Sequence, residues 1–180
     1  MIQTPSGDAC QIGDTSQPAE RFFLADFMLG KLARQLRMAG FDTLYPPPRD
    51  YRVWSLFGRT ILTCNTRFGE RFHPPDVIVL KPNSPISQLR HVIQCCNLRY
   101  TPERFLSRCL ICNVGVLVLS GDACRERVPL QVWRNHEDFS YCPVCRRIYW
   151  PGSHARRMQA FWQKMVAETS ETAGGSTVPE

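Results

Sequence analysis

The chain has 180 residues, 43% of them hydrophobic, with ten Phe, five Tyr and four Trp, a composition typical of a globular protein with a buried core. No apolar run approaches the ~20 residues that a membrane-spanning helix requires, so the sequence predicts no membrane span. The net charge is +6, and most of the positive charge lies in residues 21–108, which hold 14 bases and 6 acids. This excess of bases favours a polyanionic partner such as RNA. An ordinary solvated basic surface is the alternative.

The first elements are an arm, a strand and a basic helix. Residues 1–20 are polar and without hydrophobic periodicity, which predicts a disordered arm with no secretory or mitochondrial leader pattern. Residues 21–25 form an apolar run that predicts a buried strand ending at Asp26. The next apolar residues follow helical spacing as far as Gly40, which is placed to cap the helix. The other face carries a basic stripe, either a phosphate-binding surface or a solvated helix face, made of Lys31, Arg34 and Arg37.

Three further apolar runs predict strands, and two segments predict helices between and after them. The predicted strands are residues 41–45, 60–63 and 77–80, and the first predicted helix is a short one at 50–57. Ser84 followed by Pro85 is the favoured start of the second helix. Short, almost wholly apolar strands that alternate with helices predict a parallel sheet with helices on its faces.

Two closely spaced cysteine pairs follow, Cys109 with Cys112 and Cys142 with Cys145, separated by 29 residues. Each C-x₂-C pair can bring two thiolates to one point, and four thiolates make the tetrahedral shell of structural zinc. Two redox motifs or two disulfides are the alternatives. Apolar runs at 114–120 and 128–133 look like strands, so a zinc ribbon is predicted over residues 108–152.

The remaining cysteines and the last helix complete the predicted organisation. Five of the nine cysteines lie outside the two pairs, and an odd remainder fits a reducing compartment, from which we infer the cytoplasm. Apolar residues at helical spacing predict a closing helix that packs back onto the body. The predicted units are an arm (1–20), an α/β domain (21–107), the zinc ribbon (108–152), a C-terminal helix (153–168) and a disordered tail (169–180).

Ligands of open parallel sheets bind beyond the carboxyl ends of the strands. A polar residue that follows a strand therefore lies at the binding edge, and one that precedes a strand lies at the opposite edge. Asp42 and Asp76 precede strands and are poor candidates. The residues that follow strands are Asp26, Asp50, Asn65, Lys81 and Asn83, with Lys31, Arg34 and Arg67 nearby. Carboxylate and amide oxygens suit Mg²⁺ or Mn²⁺. The alternatives are that Asp26 only faces a helix N-terminus and that Asp50 and Asn65 are ordinary turn residues.

Several runs of the chain resemble the Mut-seven C-terminal RNase domain family. They are FLADFMLGKLARQLR at 23–37, GFDTLY at 40–45, RCLICN at 108–113, CPVC at 142–145 and YWPGSH at 149–154. The resemblance covers about residues 21–165. It implies a PIN-like α/β nuclease domain joined to a zinc ribbon, with metal-dependent ribonuclease activity.

The resemblance also implies roles for single residues. Asp26 matches the family's first-strand aspartate, and Asp50 matches the acid-rich start of its next helix. The chain departs from the family at residues 63–65, which read Thr-Cys-Asn where the family usually reads Thr-Arg-Asp. Asn65 keeps an oxygen but lacks the negative charge that holds a divalent ion, so weakened activity is expected.

Three hypotheses follow. The first is a ribonuclease that uses Mg²⁺ or Mn²⁺, with Asp26 and Asp50 as ligands, Asn65 assisting and Lys31 near the scissile phosphate. Its predicted RNA-binding residues are Arg34, Arg37, Arg67 and Lys81. The second is an RNA-binding module without catalysis, and the third is an adaptor whose ribbon docks onto a larger assembly. The sequence does not indicate which oligomeric state the protein adopts.

Overall fold

The computed structural model describes residues 21–71, 77–81 and 83–173. The predicted arm (1–20), Asp76 and the last seven residues of the predicted tail lie outside these ranges. Within them, no helix combines the length and the apolarity that crossing a membrane requires.

A four-stranded parallel sheet forms the centre of the α/β domain, as predicted. Its strands are β1 (Phe22–Ala25), β2 (Asp42–Leu44), β3 (Thr60–Thr63) and β4 (Val77–Val79), in the order β2-β1-β3-β4. The middle of β1 is flanked on both sides, with Leu24 beside Leu44 of β2 and Ile61 of β3. All four strands run in the same direction, so their carboxyl ends meet at one edge.

Helices connect and cover these strands. They are α1 (Gly30–Met38), α2 (Thr66–Arg71) and α3 (Pro85–Cys96), with short 3-10 helices at Phe27–Leu29, Tyr51–Phe57 and Pro102–Arg104. The start of α3 is as predicted, since the Ser84 hydroxyl accepts a hydrogen bond from the Ser87 amide. Gly40 follows α1 with a φ of +88°, and a Cβ there would meet the backbone oxygen of Arg104 at 2.5 Å. Only glycine fits that turn.

The ribbon is a three-stranded antiparallel sheet with two short helices. Its strands are β5 (Leu117–Leu119), β6 (Phe139–Tyr141) and β7 (Ile148–Tyr149), and its helices are α4 (Gly121–Cys124) and α5 (Leu130–Asn135). The predicted strand at 128–133 is wrong, because the Pro129 carbonyl accepts amide hydrogen bonds from Val132 and Trp133 and starts α5. The Trp133 indole then donates to Gly121 O at 2.9 Å and ties α5 to α4.

The last helix, α6 (Ser153–Ala173), returns to the α/β domain. Trp162 is fully buried in the main hydrophobic core, with its ring 6.3 Å from that of Phe41. The predicted end of this helix at 168 is wrong. Thr169 is buried and its hydroxyl donates to the Met165 carbonyl one turn back, so residues 169–173 are helical instead of part of a disordered tail.

Candidate active-site cleft and metal centre

The four predicted metal ligands come together. The sulfur atoms of Cys109, Cys112, Cys142 and Cys145 all lie within 4.8 Å of one another. The Cys109 and Cys145 sulfurs are 3.6 Å apart, close to the ~3.8 Å edge of a tetrahedron with Zn–S bonds of roughly 2.3 Å. That spacing is too long for a disulfide, and all four are free thiols. The cluster could therefore hold a metal ion such as zinc.

Each cysteine pair lies in the same kind of turn. We call residues 109–113 the first cysteine turn and residues 142–146 the second. Both end in a residue with left-handed backbone, Asn113 with φ +64° and Arg146 with φ +58°. In both, the amide of the second cysteine donates to the sulfur of the first, at 3.2 Å and 3.4 Å. Two matching turns thus aim four thiols at one point and donate hydrogen bonds to the sulfurs.

Two cysteines of the cluster differ in acidity. Burial raises the pKa of Cys109, but hydrogen bonds from the Tyr149 hydroxyl and nearby amides lower it to about 6. Burial and the neighbouring sulfurs raise the pKa of Cys112 to about 12. Cys109 therefore forms a thiolate more readily than Cys112. Because cysteines bind metals as thiolates, metal binding to the cluster would release protons.

Arg37 connects the first cysteine turn to the sheet. Its guanidinium donates four hydrogen bonds: to Thr43 O and Tyr45 O of the α/β domain, and to Leu110 O and Ile111 O of the ribbon, at 2.8–3.0 Å. Only 3% of the residue is exposed. The prediction that Arg37 binds RNA is therefore wrong, because the guanidinium is occupied by backbone carbonyls inside the protein.

The geometry of α1 explains the error. Residues three apart on an α-helix drift by about 60° around the axis at each step, so the predicted stripe winds from the solvent side towards the core. Lys31 and Arg34 are exposed, and the third member of the stripe is buried.

Asp42 makes a second connection to the ribbon. Its carboxylate accepts hydrogen bonds from Arg59 and from the Asn113 amide at 2.8 Å, and it lies 3.4 Å from Arg108. Burial raises the pKa of Asp42, but the hydrogen bonds from Arg59 and Asn113 outweigh burial and lower it. The Thr43 amide donates to Asn113 at 3.0 Å. Asp42 starts its strand, at the edge away from Asp26, so its contacts fit a structural role.

The carboxyl edge of the sheet holds a cleft of about 390 Å³, which we call the Asp26 cleft. It is lined by Asp26, Phe27, Arg49, Tyr51, Trp54, Asn65, Arg67 and Phe68. Three residues predicted for the site, Asp26, Asn65 and Arg67, thus share one cavity. Arg49 was not predicted, although its position next to Asp50 in the sequence was a usable signal.

Hydrogen bonds hold the Asp26 carboxylate in place. One oxygen accepts from the Phe27 amide at 2.5 Å and the other from the Thr63 hydroxyl at 2.6 Å. The same hydroxyl accepts from the Asn65 amide at 3.0 Å. Thr63 is fully buried and couples the ends of β1 and β3. Sequence reasoning missed this role, since a strand-end threonine carries no distinctive motif.

Asp50 does not line the Asp26 cleft. Its carboxylate forms an ion pair with the Arg52 guanidinium at 2.9 Å. It also accepts a hydrogen bond from the Arg52 backbone amide, so Asp50 caps the 3-10 helix Tyr51–Phe57. The hydrogen bonds from Arg52 lower the pKa of Asp50. These contacts match the alternative interpretation of Asp50 as a turn acid.

Among the residues that the structure describes, the Asp26 cleft contains no cluster of carboxylates. Asp26 is the one acid of its described lining, against two arginines. In residues 21–71, 77–81 and 83–173, the four cysteines are the only group of three or more His, Cys, Asp or Glu side chains that could hold a metal ion. The donor set therefore fits no preformed two-ion site.

A larger cleft of about 690 Å³ lies between α1, the start of α3 and the first cysteine turn, and we call it the ribbon cleft. Lys31 and Arg34 line it together with Asn83, while Leu110 and Ile111 supply its ribbon wall. Predicted site residues are thus divided between two clefts. Lys81 is absent from the lining of both.

Comparison with known proteins identifies the family of this chain. A model described as the Mut7-C RNAse domain matches residues 21–162, which include the sheet, both clefts, the cysteine cluster and the first half of α6. A comparison with curated proteins gives no match. Since the match spans most of the chain, this protein belongs to the Mut7-C RNase domain family.

Proposed function

We propose that this protein binds RNA and hydrolyses phosphodiester bonds in the Asp26 cleft. The observation that supports this most directly is the position of Asp26. Its carboxylate lies at the carboxyl edge of the sheet, fixed by two hydrogen bonds, in a cavity with Asn65, Arg49 and Arg67. Membership of an RNase domain family agrees with RNA as the substrate.

The charges of the cleft suit a phosphodiester. Arg49 and Arg67 can pair with phosphate oxygens, since guanidinium groups bind phosphate through two parallel hydrogen bonds. Asp26 is held in one orientation by the Phe27 amide and the Thr63 hydroxyl, and it lines the cavity. In this proposal Asp26 contacts the reacting atoms and the arginines position the RNA backbone.

A divalent ion would have few protein ligands here. Mg²⁺ or Mn²⁺, when bound, activates a water and stabilises the leaving oxygen. The Asp26 carboxylate and the Asn65 side-chain oxygen would hold one such ion, together with RNA phosphates, which is a common arrangement for Mg²⁺. Because Asn65 is neutral, we expect weak ion binding and slow cleavage. In the ribbon, we propose structural zinc on the four cysteines.

The test uses labelled single-stranded RNA with Mn²⁺. We expect slow cleavage by the wild type, and a loss of about a hundredfold or more in Asp26→Asn. Asn65→Asp restores a charged ligand and should accelerate cleavage. Asp50→Asn is the matched control, since Asp50 lies outside the cleft, and its rate should stay within about threefold of wild type. Equal cleavage by wild type and Asp26→Asn would refute the proposed site.

A second candidate is RNA binding without cleavage. The observation that favours it is the single carboxylate of the Asp26 cleft, flanked by two arginines. In that case RNA binds with an affinity that falls steeply as the salt concentration rises. The RNA stays intact in the presence of Mg²⁺ or Mn²⁺. Asp26→Asn should then bind RNA as tightly as the wild type or tighter, because a negative charge beside the phosphate is lost.

A further inference from the structure

Phe27 stands between the two clefts. It is the residue directly after Asp26, and its side chain lines both the Asp26 cleft and the ribbon cleft. In spite of its apolar ring, 48% of the residue is exposed. Its neighbour Met28 is more exposed still and lines the ribbon cleft. Two neighbouring exposed apolar side chains at the junction of two cavities form a surface on which a ligand can pack.

The contacts of Phe27 fix the position of the ring. Its amide donates to Asp26 and its carbonyl accepts from the Tyr45 hydroxyl at 3.2 Å. One side of the ring packs at a tilt against Trp54, with 6.4 Å between ring centres. The exposed part of the ring is therefore presented by a held backbone, and little ordering remains to be done when a ligand packs on it.

Cationic side chains lie on both sides of this ridge. Arg49 and Arg67 line the Asp26 cleft, and Lys31 and Arg34 line the ribbon cleft. A strand of nucleic acid presents charged phosphates with a flat base between them. The order cation, aromatic ring, cation matches that pattern, and single-stranded RNA is bound in this way by other proteins.

Resting on the function proposed above, we infer that Phe27 is a base-stacking residue over which one RNA strand passes from the Asp26 cleft into the ribbon cleft. A base in a duplex is already stacked on its neighbours, so its face is not free for Phe27. The substrate class is therefore single-stranded RNA, with one unpaired base next to the phosphate that Asp26 faces.

The experiment measures binding without added divalent ion. The probe is a short oligouridine with one 2-aminopurine and a terminal fluorophore, alone or annealed to its complement. Anisotropy gives the affinity, 2-aminopurine emission reports stacking, and a gel confirms that the RNA is intact. The variants are Phe27→Ala and Phe27→Trp, with Phe57→Ala as the control, because Phe57 has a similar exposure of 44% and lines neither cleft.

We expect Phe27→Ala to bind the single strand about tenfold more weakly, in the range that one lost stacking contact costs. Its 2-aminopurine emission should stay high, whereas the wild type and Phe27→Trp should quench it. Phe57→Ala should behave as wild type, and the duplex should bind more weakly than the single strand. Thermal unfolding of Phe27→Ala checks that the variant is folded.

The outcomes separate the two proposals. Equal binding by Phe27→Ala and wild type, with equal quenching, overturns the stacking role and leaves Asp26-dependent cleavage standing. Duplex binding as tight as single-strand binding overturns the substrate class. A wild type that binds neither form overturns the proposed function and this inference with it.

Discussion

The α/β domain and the ribbon are stabilised by different means. The main core of the α/β domain buries large apolar side chains from β1, α1, α3 and α6, including Phe23, Leu32 and Trp162. In residues 108–152 the buried apolar residues are Cys109, Cys124, Cys142 and Phe139, and only Phe139 is larger than a cysteine. The ribbon therefore lacks a core of its own, and the thiol cluster takes that place.

Hydrogen bonds and an ion pair connect the two regions. Arg37 and Asp42 on one side meet backbone carbonyls, Asn113 and Arg108 on the other. Directional hydrogen bonds position the ribbon against the α/β domain. One region thus depends on hydrophobic burial, the other on its four-cysteine cluster, and their connection on hydrogen bonds.

The largest expected effect comes from removing one ligand of the cluster. Structural zinc supplies about 10–16 kcal/mol to zinc-finger peptides, so Cys142→Ser should lose the metal and unfold the ribbon while the α/β domain stays folded. A colorimetric chelator assay measures the metal, and limited proteolysis locates the unfolded segment. Cys95→Ser is the control, because Cys95 lies outside the cluster. Full metal content in Cys142→Ser would show that the cluster is not the metal site.

A pair of truncations contrasts the two regions directly. Leu32 is fully buried, and Leu32→Ala should lower the free energy of unfolding of the α/β domain by about 2–5 kcal/mol. Val118 in the ribbon is 90% exposed, so Val118→Ala should change stability by less than about 0.5 kcal/mol. Urea unfolding measures both. A comparable loss in the two variants would contradict the difference between the two regions.

Arg37→Met tests the connection. It removes four donated hydrogen bonds, one of them buried and three partly buried, at a cost of about 2–4 kcal/mol in the free energy of unfolding. Amide exchange in residues 109–113 should also rise. Arg34→Met, on the exposed side of the same helix, should cost less than about 0.5 kcal/mol. Similar losses in both variants would mean that Arg37 does not hold the ribbon.

Asp42→Asn should have the smallest effect, with a pH dependence of known sign. Because the folded protein lowers the pKa of Asp42 below its ordinary value of 3.8, the stabilisation is present above that pH and is lost as the pH falls through the folded pKa. At neutral pH the variant should lose about 1.5–3 kcal/mol. The difference from wild type should shrink below about pH 4 in thermal unfolding scans. A pH-independent difference would contradict the assignment.

Local patterns predicted more than long-range ones did. The cysteine spacing predicted the cluster because each pair forms its turn within five residues. Apolar runs predicted all four strands of the parallel sheet, and Ser84 with Pro85 predicted the start of α3. Each of these rests on neighbours in sequence, where physical rules are strong.

The errors arose where distant contacts decide the outcome. Arg37 looked like a surface cation, since two of the four carbonyls that bind it lie more than seventy residues along the chain. The strand expected at 128–133 formed a helix, and its place in the sheet went to β6, whose partner residues no local pattern specified. The division of the site between two clefts likewise depends on where the ribbon docks.

One property of the core affects how this protein can be dissected. Trp162 and Met165, which come after the ribbon in sequence, belong to the core of the domain that comes before it. In the topology of the chain the ribbon is an insertion into the α/β domain. A truncated chain that stops near residue 107 lacks Trp162 and has a cavity in its core. The ribosome must therefore release the chain as far as Met165 before that core can close. A shortened protein should instead splice out the ribbon and rejoin α6 through a designed linker.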